Sequence, residues 1–276
     1  MFTILVQNFT TLATIAGMMF FLGVNRIFSN KITQIFFFFY IDVLVLYFGD
    51  VFDTYYKDIG YYVPDHFVST AIGYMCRPLS LFFVISVVNR RRKINYLLLV
   101  FLIIEALVVI TSNSSHLVFW YDQFNVYHRG PLGYISHITS AVMGILLVIF
   151  SFLNYKNISL SEATIILFIV VISFIATIIE NVYGYDFILV TAIALSGLFY
   201  FMFLHSQLYK CDQLTGVLNR RCFFIELKNT ISIPKSFISC DMNGLKKIND
   251  DEGHLAGDKA IITFSTALCD AKKEVL

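Results

Sequence analysis

The stretch "EATIILFIVVISFIATIIEN", from Glu162 to Asn181, carries no charged residue between Glu162 and Glu180. A helix of about 20 predominantly apolar residues has the length needed to cross the hydrocarbon core of a bilayer. The stretch therefore predicts a membrane-spanning helix. The class of the whole chain then depends on how often such stretches recur.

Six similar stretches bring the predicted number of membrane spans to seven. Of the 276 residues, 58% are apolar and 14% are charged, whereas about a quarter of the residues in a soluble domain are charged. No basic segment precedes the N-terminal stretch, Ile4–Leu22, so we interpret it as a retained span and not as a signal peptide. The six other predicted spans are Ile4–Leu22, Ile32–Val51, Phe67–Val88, Ile94–Thr111, Tyr134–Leu153 and Phe187–His205.

The basic residues between the predicted spans are distributed unequally, and this predicts the orientation. The loops on one side hold only Lys57 and Arg129. Cytoplasmic loops carry an excess of Lys and Arg, so we expect the N-terminus outside and the C-terminus in the cytoplasm. The loops on the cytoplasmic side would hold Arg26, Lys31, Arg90, Arg91, Arg92, Lys93, Lys156 and Lys210.

Several ionisable residues lie inside the predicted spans, where burial makes them costly and therefore candidates for function. One interpretation is a buried ion pair that fixes helix packing, such as Arg77 with Asp42 or Glu105. The other is a ligand or signalling site, and the sequence leaves both open. The residues concerned are Asp42, Asp50, Arg77, Glu105, His137 and Glu180.

Two outer loops are rich in aromatic residues: "DTYYKDIGYYVPDH" (53–66) and "SNSSHLVFWYDQFNVYHRGPLG" (112–133). Aromatic side chains are enriched at both membrane surfaces, which accounts for single residues such as Trp120. The second loop is long and also contains His, Asp and Arg. We therefore expect it to cover a site for an unidentified extracytoplasmic or membrane ligand.

Charged residues are sparse before Lys210 and dense after it, and this change marks the predicted domain boundary. We predict a membrane domain over residues 1–205, a short helical linker over 206–211, and a polar domain over 212–276. The five cysteines form no Cys-x-x-Cys pair, so neither a disulfide framework nor a zinc site is expected. A net charge of +1 gives no reason to expect nucleic acid as a partner.

The polar domain begins with a pattern typical of an α/β fold. Asn219 is placed to cap a helix that reaches about Lys228. The apolar run Ser236–Cys240 predicts a strand that ends at Asp241. Two helices are predicted to follow, one over "GLKKIND" (244–250) and one that opens at Asp258.

The polar side chains after the predicted strand suit a nucleotide. A carboxylate such as Asp241, at the end of a buried strand, offers the hard oxygen ligands that Mg²⁺ prefers. Lys246 supplies a compact cation for a phosphate. Asn249 and Asp258 can present hydrogen bonds to the edge of a base, and His254 could close over the ribose or a phosphate.

Taken together, these residues form a pattern that resembles the N-terminal half of the GGDEF domain, the catalytic domain of diguanylate cyclases. The likeness spans about residues 211–276. It implies that Asp241 and the main-chain carbonyl of Met242 bind Mg²⁺, with Mn²⁺ as a substitute. The residues that carry it are Asp212, Leu214, Thr215, Gly216, Asn219, Arg220 and Arg221, then Asp241, Asn243, Leu245, Lys246, Asn249, Asp250, Gly253, His254, Gly257 and Asp258.

The same resemblance implies roles for the remaining site residues. Asn249 and Asp258 would contact the guanine of GTP, with His254 near the nucleotide. Lys246 would lie by the triphosphate as the catalytic residue. Two GTP molecules would condense to cyclic di-GMP across a homodimer of the cytoplasmic domains.

The membrane part resembles the seven-helix sensor region of some bacterial histidine kinases and cyclases. The likeness rests on the seven predicted spans, on the pair Arg77-Pro78, and on "NVYHRGPLGY" (125–134). It implies a multi-pass protein of the bacterial inner membrane, in contact with lipid. The expected fold is thus a seven-helix membrane domain followed by an incomplete α/β, palm-like cyclase domain.

The Gly-Gly-Asp-Glu-Phe sequence that names the family occurs nowhere in the 276 residues. We therefore expect the chain to be a fragment that is inactive by itself. Two alternatives stay open. The tail could be a degenerate module that binds GTP without turnover, or residues 1–205 could form a transporter-like domain with a regulatory tail.

Overall fold

A computed structural model describes residues 1–24, 30–89, 92–153, 160–229 and 238–275. The chain divides into two compact units, Met1–Met202 and Phe203–Leu276. The helices of the first unit are α1 (Phe2–Gln7), α2 (Phe9–Val24), α3 (Asn30–Tyr56), α4 (Pro64–Val88), α5 (Arg92–Ile110), α6 (Ser112–Ser115), α7 (Ile135–Leu153) and α8 (Leu160–Tyr183). Helix α9 (Ile188–Leu208) belongs to the first unit as far as Met202.

Six helices in the described part of the chain are long and apolar enough to cross a membrane. They coincide with six of the seven predicted spans. The first predicted span is divided at Asn8 into α1 and the 16-residue α2. The Asn8 side-chain amide donates to the carbonyl of Ile4 at 3.0 Å, a local bond that competes with helix continuation. Six spans are thus found, and the count of seven stays a prediction.

Helix α3 packs against α2 and α4 in the first unit. Its Tyr40 and Tyr47 are fully buried, and the Tyr40 hydroxyl donates to the Ala194 carbonyl of α9 at 3.2 Å. A side chain at Gly197 of α9 would meet the ring of Phe39 at 2.3 Å. Glycine is therefore required there for the close helix contact typical of membrane bundles.

The second aromatic loop forms an antiparallel hairpin of β1 (Phe119–Tyr121) and β2 (Tyr127–Arg129). Phe119 is fully buried and stacks on Phe67 and Tyr74 of α4. Aromatic burial of this kind contributes strongly to packing. Part of this loop therefore packs against α4, which single aromatic residues at the membrane surface would not do. The predicted role of the loop as a cover for a ligand site stays a prediction.

Asp122 holds the turn of the hairpin. Its carboxylate accepts hydrogen bonds from the amides of Phe124 and Val126 and lies 3.1 Å from Nε2 of His128. The bond from the Val126 amide, followed by that from His128, holds the pKa of Asp122 below its ordinary value. The carboxylate thus stays ionised and keeps the turn closed at neutral pH.

The second unit contains α10 (Arg220–Asn229), α11 (Leu245–Glu252) and α12 (His254–Val275). Two helices thus lie close to where they were predicted, but α12 begins at His254 and not at Asp258. Gly253 adopts φ 86°, a backbone conformation that favours glycine, and the chain turns there directly from α11 into α12. Asp258 consequently lies in the second turn of α12.

Two other predictions for the tail differ from the structure. The predicted strand Ser236–Cys240 lies partly outside the described residues, and its described part, from Ile238, is not a strand. A single strand without neighbours is not stable. The predicted linker 206–211 is helical only as far as Leu208, because Tyr209 and Lys210 form a turn.

Candidate functional site

The tail begins with a tight turn that Asp212 organises. Its Oδ1 accepts hydrogen bonds from the amides of Leu214 and Thr215 and from the Thr215 hydroxyl. The Thr215 amide, together with that hydroxyl, lowers the pKa of Asp212 from its ordinary value. Gly216 follows at φ 73°, which accounts for glycine in the pattern D-x-L-T-G.

Asn219 joins this turn to the next helix. Its Oδ1 accepts the amide of Cys222 at 2.9 Å, as an N-cap of α10 should. Its Nδ2 donates to the Tyr209 carbonyl at 2.6 Å, and its backbone amide donates to the Lys210 carbonyl at 2.9 Å. The predicted cap is thus found, and the same residue also satisfies carbonyls that follow α9.

Asp241 and Met242 lie in the irregular segment before α11. Oδ1 of Asp241 accepts the amide of Met242 at 2.9 Å, and the aspartate is exposed. Among the residues that the structure describes, no three His, Cys, Asp or Glu side chains are grouped closely enough to hold a metal ion. Magnesium commonly takes one or two carboxylates and completes its shell with phosphates and water. A single carboxylate with a neighbouring carbonyl fits that kind of site.

Asn249 lies on α11 where this helix contacts α12. A side chain at Gly257 would meet Oδ1 of Asn249 at 2.0 Å, so only glycine permits this approach. The buried Gly257 directly precedes Asp258 in α12. The structure therefore brings Asn249, a predicted base-binding residue, against the backbone beside its predicted partner Asp258.

The other predicted site residues are exposed on the same pair of helices. Lys246 lies on α11, and His254 begins α12. Among the described residues, the side chains of Lys246, His254 and Asp258 make no hydrogen bond or ion pair. Their polar groups are consequently available to a ligand, and the structure does not join them to Asp241 by any contact.

Large apolar side chains of the tail stay exposed. Within the described part of the second unit, no large apolar residue is buried. Phe223 and Phe224 of α10 are 46% and 49% exposed, and Leu255 of α12 is 79% exposed. The predicted α/β arrangement, which would cover such faces with a sheet, is not formed among these residues.

The membrane unit contains a separate charged cluster around Arg77. Nη2 of Arg77 donates to Oε1 of Glu180 at 2.9 Å and lies 3.7 Å from Oδ1 of Asp50. Glu180 also accepts the amide of Leu189 through Oε2. An ion pair of Arg77 with Asp42 or Glu105 was one of the two interpretations that the sequence left open. The structure corrects both assignments, because α3 presents Asp50, two turns beyond Asp42, towards Arg77.

A second polar network lies at the same end of the unit, and the sequence did not predict it. His66 is buried; its Nδ1 lies 3.0 Å from Oδ1 of Asn125, and its Nε2 lies 3.1 Å from the Tyr121 hydroxyl. The Thr70 hydroxyl bonds both Tyr121 and Asp53. These residues come from α3, α4 and the hairpin. The signal in the sequence was that all of them except Thr70 lie in the two aromatic loops.

Comparison with known proteins addresses the tail. Residues 209–274 match the family model described as "Diguanylate cyclase, GGDEF domain". Over 63 residues the chain is 36% identical to a protein of Streptomyces griseus named "Uncharacterized protein in hutH 5'region". That alignment covers 21% of this chain and 26% of the relative, so the chain spans about a quarter of the relative's length.

No solved structure matches the chain significantly. The family match begins at the turn that follows α9 and continues through the pair α11 and α12, so it includes every residue predicted to bind GTP or Mg²⁺. A membrane unit with six apolar helices precedes it. The match shows that the C-terminal segment, residues 209–274, is similar to the GGDEF domain of diguanylate cyclases.

Proposed function

We propose that this protein is a membrane sensor coupled to diguanylate cyclase chemistry, in which the tail binds GTP. The observation that carries the proposal is the family match over residues 209–274. The structure supports it, because α11 and α12 present polar side chains of the motif with no partner in the described residues. Signalling through cyclic di-GMP would follow from that family.

In the proposed site, Asn249 and Asp258 hydrogen-bond the guanine, and His254 contacts the nucleotide. The amide of Asn249 can donate and accept, and a carboxylate accepts two N–H groups at once, which suits the edge of guanine. Lys246, three residues before Asn249 on α11, lies by the triphosphate. Its charge would stabilise the negative charge that develops on the phosphoryl oxygens.

Asp241 and the Met242 carbonyl would hold Mg²⁺, or Mn²⁺, together with the phosphates. The metal would neutralise phosphate charge. Asp241 already contacts the backbone amide of Met242. That contact places its carboxylate at the start of the segment leading into α11.

The proposed enzyme and its rival, a degenerate module that binds GTP without turnover, lead to the same expectation for these 276 residues. Because the 276 residues contain no Gly-Gly-Asp-Glu-Phe sequence, we expect this polypeptide in vesicles to bind GTP with Mg²⁺ and to form no cyclic di-GMP. Chromatography of products from radiolabelled GTP measures this. Cyclic di-GMP formed by these 276 residues would contradict the expectation that turnover needs the Gly-Gly-Asp-Glu-Phe sequence.

The coding sequence after the Leu276 codon decides between the two interpretations. An in-frame Gly-Gly-Asp-Glu-Phe or Gly-Gly-Glu-Glu-Phe sequence supports the enzyme. If that sequence is scrambled, or if a stop codon comes first, the degenerate GTP-binding module is supported. The dimer needed for condensation would form between the cytoplasmic tails.

We propose an inner-membrane location with the N-terminus outside and the tail in the cytoplasm, supported by the bias of the basic loops. The tail offers Cys211, Cys240 and Cys269 as exposed free thiols, whereas Cys76 is buried. A membrane-impermeant maleimide should therefore label no thiol in intact cells and label the tail after permeabilisation. Ser114→Cys, in the exposed outer loop, is the control and should be labelled in intact cells.

Labelling of the tail cysteines without permeabilisation would reverse the proposed orientation. Failure to label Ser114→Cys, with the tail protected as well, would also contradict it. The two readouts come from opposite sides of the membrane.

A further inference from the structure

Two cavities in the membrane unit meet at the same two residues. One, of about 660 Å³, is lined by charged and polar side chains of α3, α4 and the hairpin. The other, of about 630 Å³, lies between α4, α7, α8 and α9 and is lined almost wholly by apolar side chains. Arg77 and His137 line both. The two cavities thus form a polar and an apolar compartment that meet at Arg77 and His137, and each is as large as a small-molecule site.

Polar atoms without partners lie where the two cavities meet. Within the described residues, Nε of Arg77, both ring nitrogens of His137 and Oγ of Ser140 are buried with no partner at hydrogen-bond distance, although Asn181 is close enough to His137 to interact with it. All three residues line the apolar cavity. Unpaired buried polar groups are costly and rare in native proteins. Their grouping at one end of an apolar cavity therefore points to a ligand with a polar end.

The polar end of that ligand must accept hydrogen bonds. The Nε–H of Arg77 and a protonated ring nitrogen of His137 can only donate, and the Ser140 hydroxyl can donate as well. The charge of Arg77 is already balanced by Glu180 and Asp50. A carbonyl oxygen offers two lone pairs to such donors and needs no full negative charge.

The remainder of the cavity suits a hydrocarbon chain. Leu81, Val84, Ile145, Val148 and Phe174 line it. Ile145 and Phe174 are 60% exposed in the protein alone, which places one side of the cavity towards the lipid. A chain can therefore enter laterally from the bilayer.

We propose that this cavity binds an acyl compound, with the hydrocarbon chain between α7 and α8 and the carbonyl oxygen at Arg77, His137 and Ser140. The polar group beyond the carbonyl extends into the charged cavity under the hairpin. The source of the acyl compound is either a free single-chain molecule or a bilayer phospholipid. Binding in the membrane unit requires neither GTP nor turnover, so this inference is independent of the function proposed for the tail.

The test uses the full chain in nanodiscs of phosphatidylethanolamine and phosphatidylglycerol. One probe is a long-chain fatty acid with a photoreactive diazirine and a terminal alkyne, and a second is a phospholipid with the same chain. Mass spectrometry should locate saturable labelling on residues that line the apolar cavity. A hydrocarbon probe of equal length without the carbonyl should label it more weakly.

Two substitutions examine the two halves of the site. Ser140→Ala removes one unpartnered hydroxyl and should weaken fatty-acid binding about three- to tenfold, the effect of losing one hydrogen bond. Because that hydroxyl has no protein partner, the substitution should leave the thermal stability of the unliganded protein unchanged or raised. Ser151→Ala is the control on α7, because Ser151 bonds the Val148 carbonyl and does not line the cavity.

Gly144→Leu should fill the apolar cavity and abolish saturable labelling. A Cβ at Gly144 already meets Cγ1 of Val170 at 3.3 Å. Gly17→Leu on α2, where nothing lies within 4 Å, is the matched control and should retain labelling.

The comparison of the two probes identifies the source, and the variants decide the proposal. Preferential labelling by the fatty acid supports a free acyl ligand, and preferential labelling by the phospholipid supports the same site filled from the bilayer. Labelling that is not saturable overturns the proposal. It is also overturned if Ser140→Ala and Gly144→Leu leave labelling unchanged, which would mean that water satisfies these polar atoms.

Discussion

Replacement of Arg77 by methionine is expected to destabilise the membrane unit by about 3–5 kcal/mol, the usual cost of removing one partner of a buried ion pair. Side chains of the cluster are only 22% (Arg77), 13% (Glu180) and 14% (Asp50) exposed. Without Arg77, two carboxylates would remain beside each other with no cation in contact. The change in stability is measured by thermal unfolding in detergent, with the loss of monodisperse protein as the readout.

A double substitution separates charge from packing. Arg77→Met combined with Glu180→Gln should recover a large part of the stability, because one of the uncompensated charges is removed. Arg129→Met is the control. Arg129 is exposed and its guanidinium contacts the hydroxyl and the ring of Tyr134, so its loss should cost much less. Equal stability of Arg77→Met and the parent would contradict the assigned ion pair.

Replacement of Asp258 by alanine is expected to weaken GTP binding about 10- to 100-fold. A hydrogen bond to a charged group contributes about 1.5–3 kcal/mol, and each 1.4 kcal/mol corresponds to a factor of ten in the dissociation constant. Asp258 is exposed and has no partner among the described residues, so the substitution should leave helix α12 intact. Equilibrium titration with a fluorescent GTP analogue measures the affinity.

Asp251→Ala provides the matched control for this experiment. Asp251 lies on α11, is exposed like Asp258, and is outside the motif. Both substitutions remove one negative charge, so a general electrostatic effect would change both affinities equally. If Asp258→Ala and Asp251→Ala bind GTP as the parent does, the base-binding role of Asp258 is wrong.

Most of the membrane helices could be predicted from hydropathy alone. The length of an uninterrupted apolar stretch is a property of the local sequence. A stretch such as Glu162–Asn181 can cross a bilayer only as a helix, because the helix satisfies its own backbone hydrogen bonds. The first span was harder, because Asn8 divides it through a bond to its own helix.

The partners of the intramembrane charges could not be predicted. The sequence identified Arg77 as the cation, but the choice between Asp42 and Asp50 depends on the rotation and depth of α3 against α4. Those quantities follow from packing contacts far apart in sequence, such as Tyr40 against Ala194. The contact of His66 with Asn125 could not be predicted for the same reason, because the two residues are far apart in sequence.

In the tail, short-range chemistry was predictable and long-range pairing was not. Asn219 was recognised as a cap because capping depends on neighbours in the sequence. The strand before Asp241 was predicted from its apolar residues, yet a strand exists only with a partner. The start of α12 was predicted at Asp258, four residues late, whereas Gly257 lies within the helix and provides space there for Asn249.

The most direct test of the central claim is equilibrium binding of GTP to the full 276-residue chain in vesicles, with and without Mg²⁺. The account predicts saturable binding that requires Mg²⁺, discriminates against ATP, and is weakened by Asp241→Ala as well as by Asp258→Ala. Binding that is absent, or that is equal for GTP and ATP and insensitive to both substitutions, would contradict it.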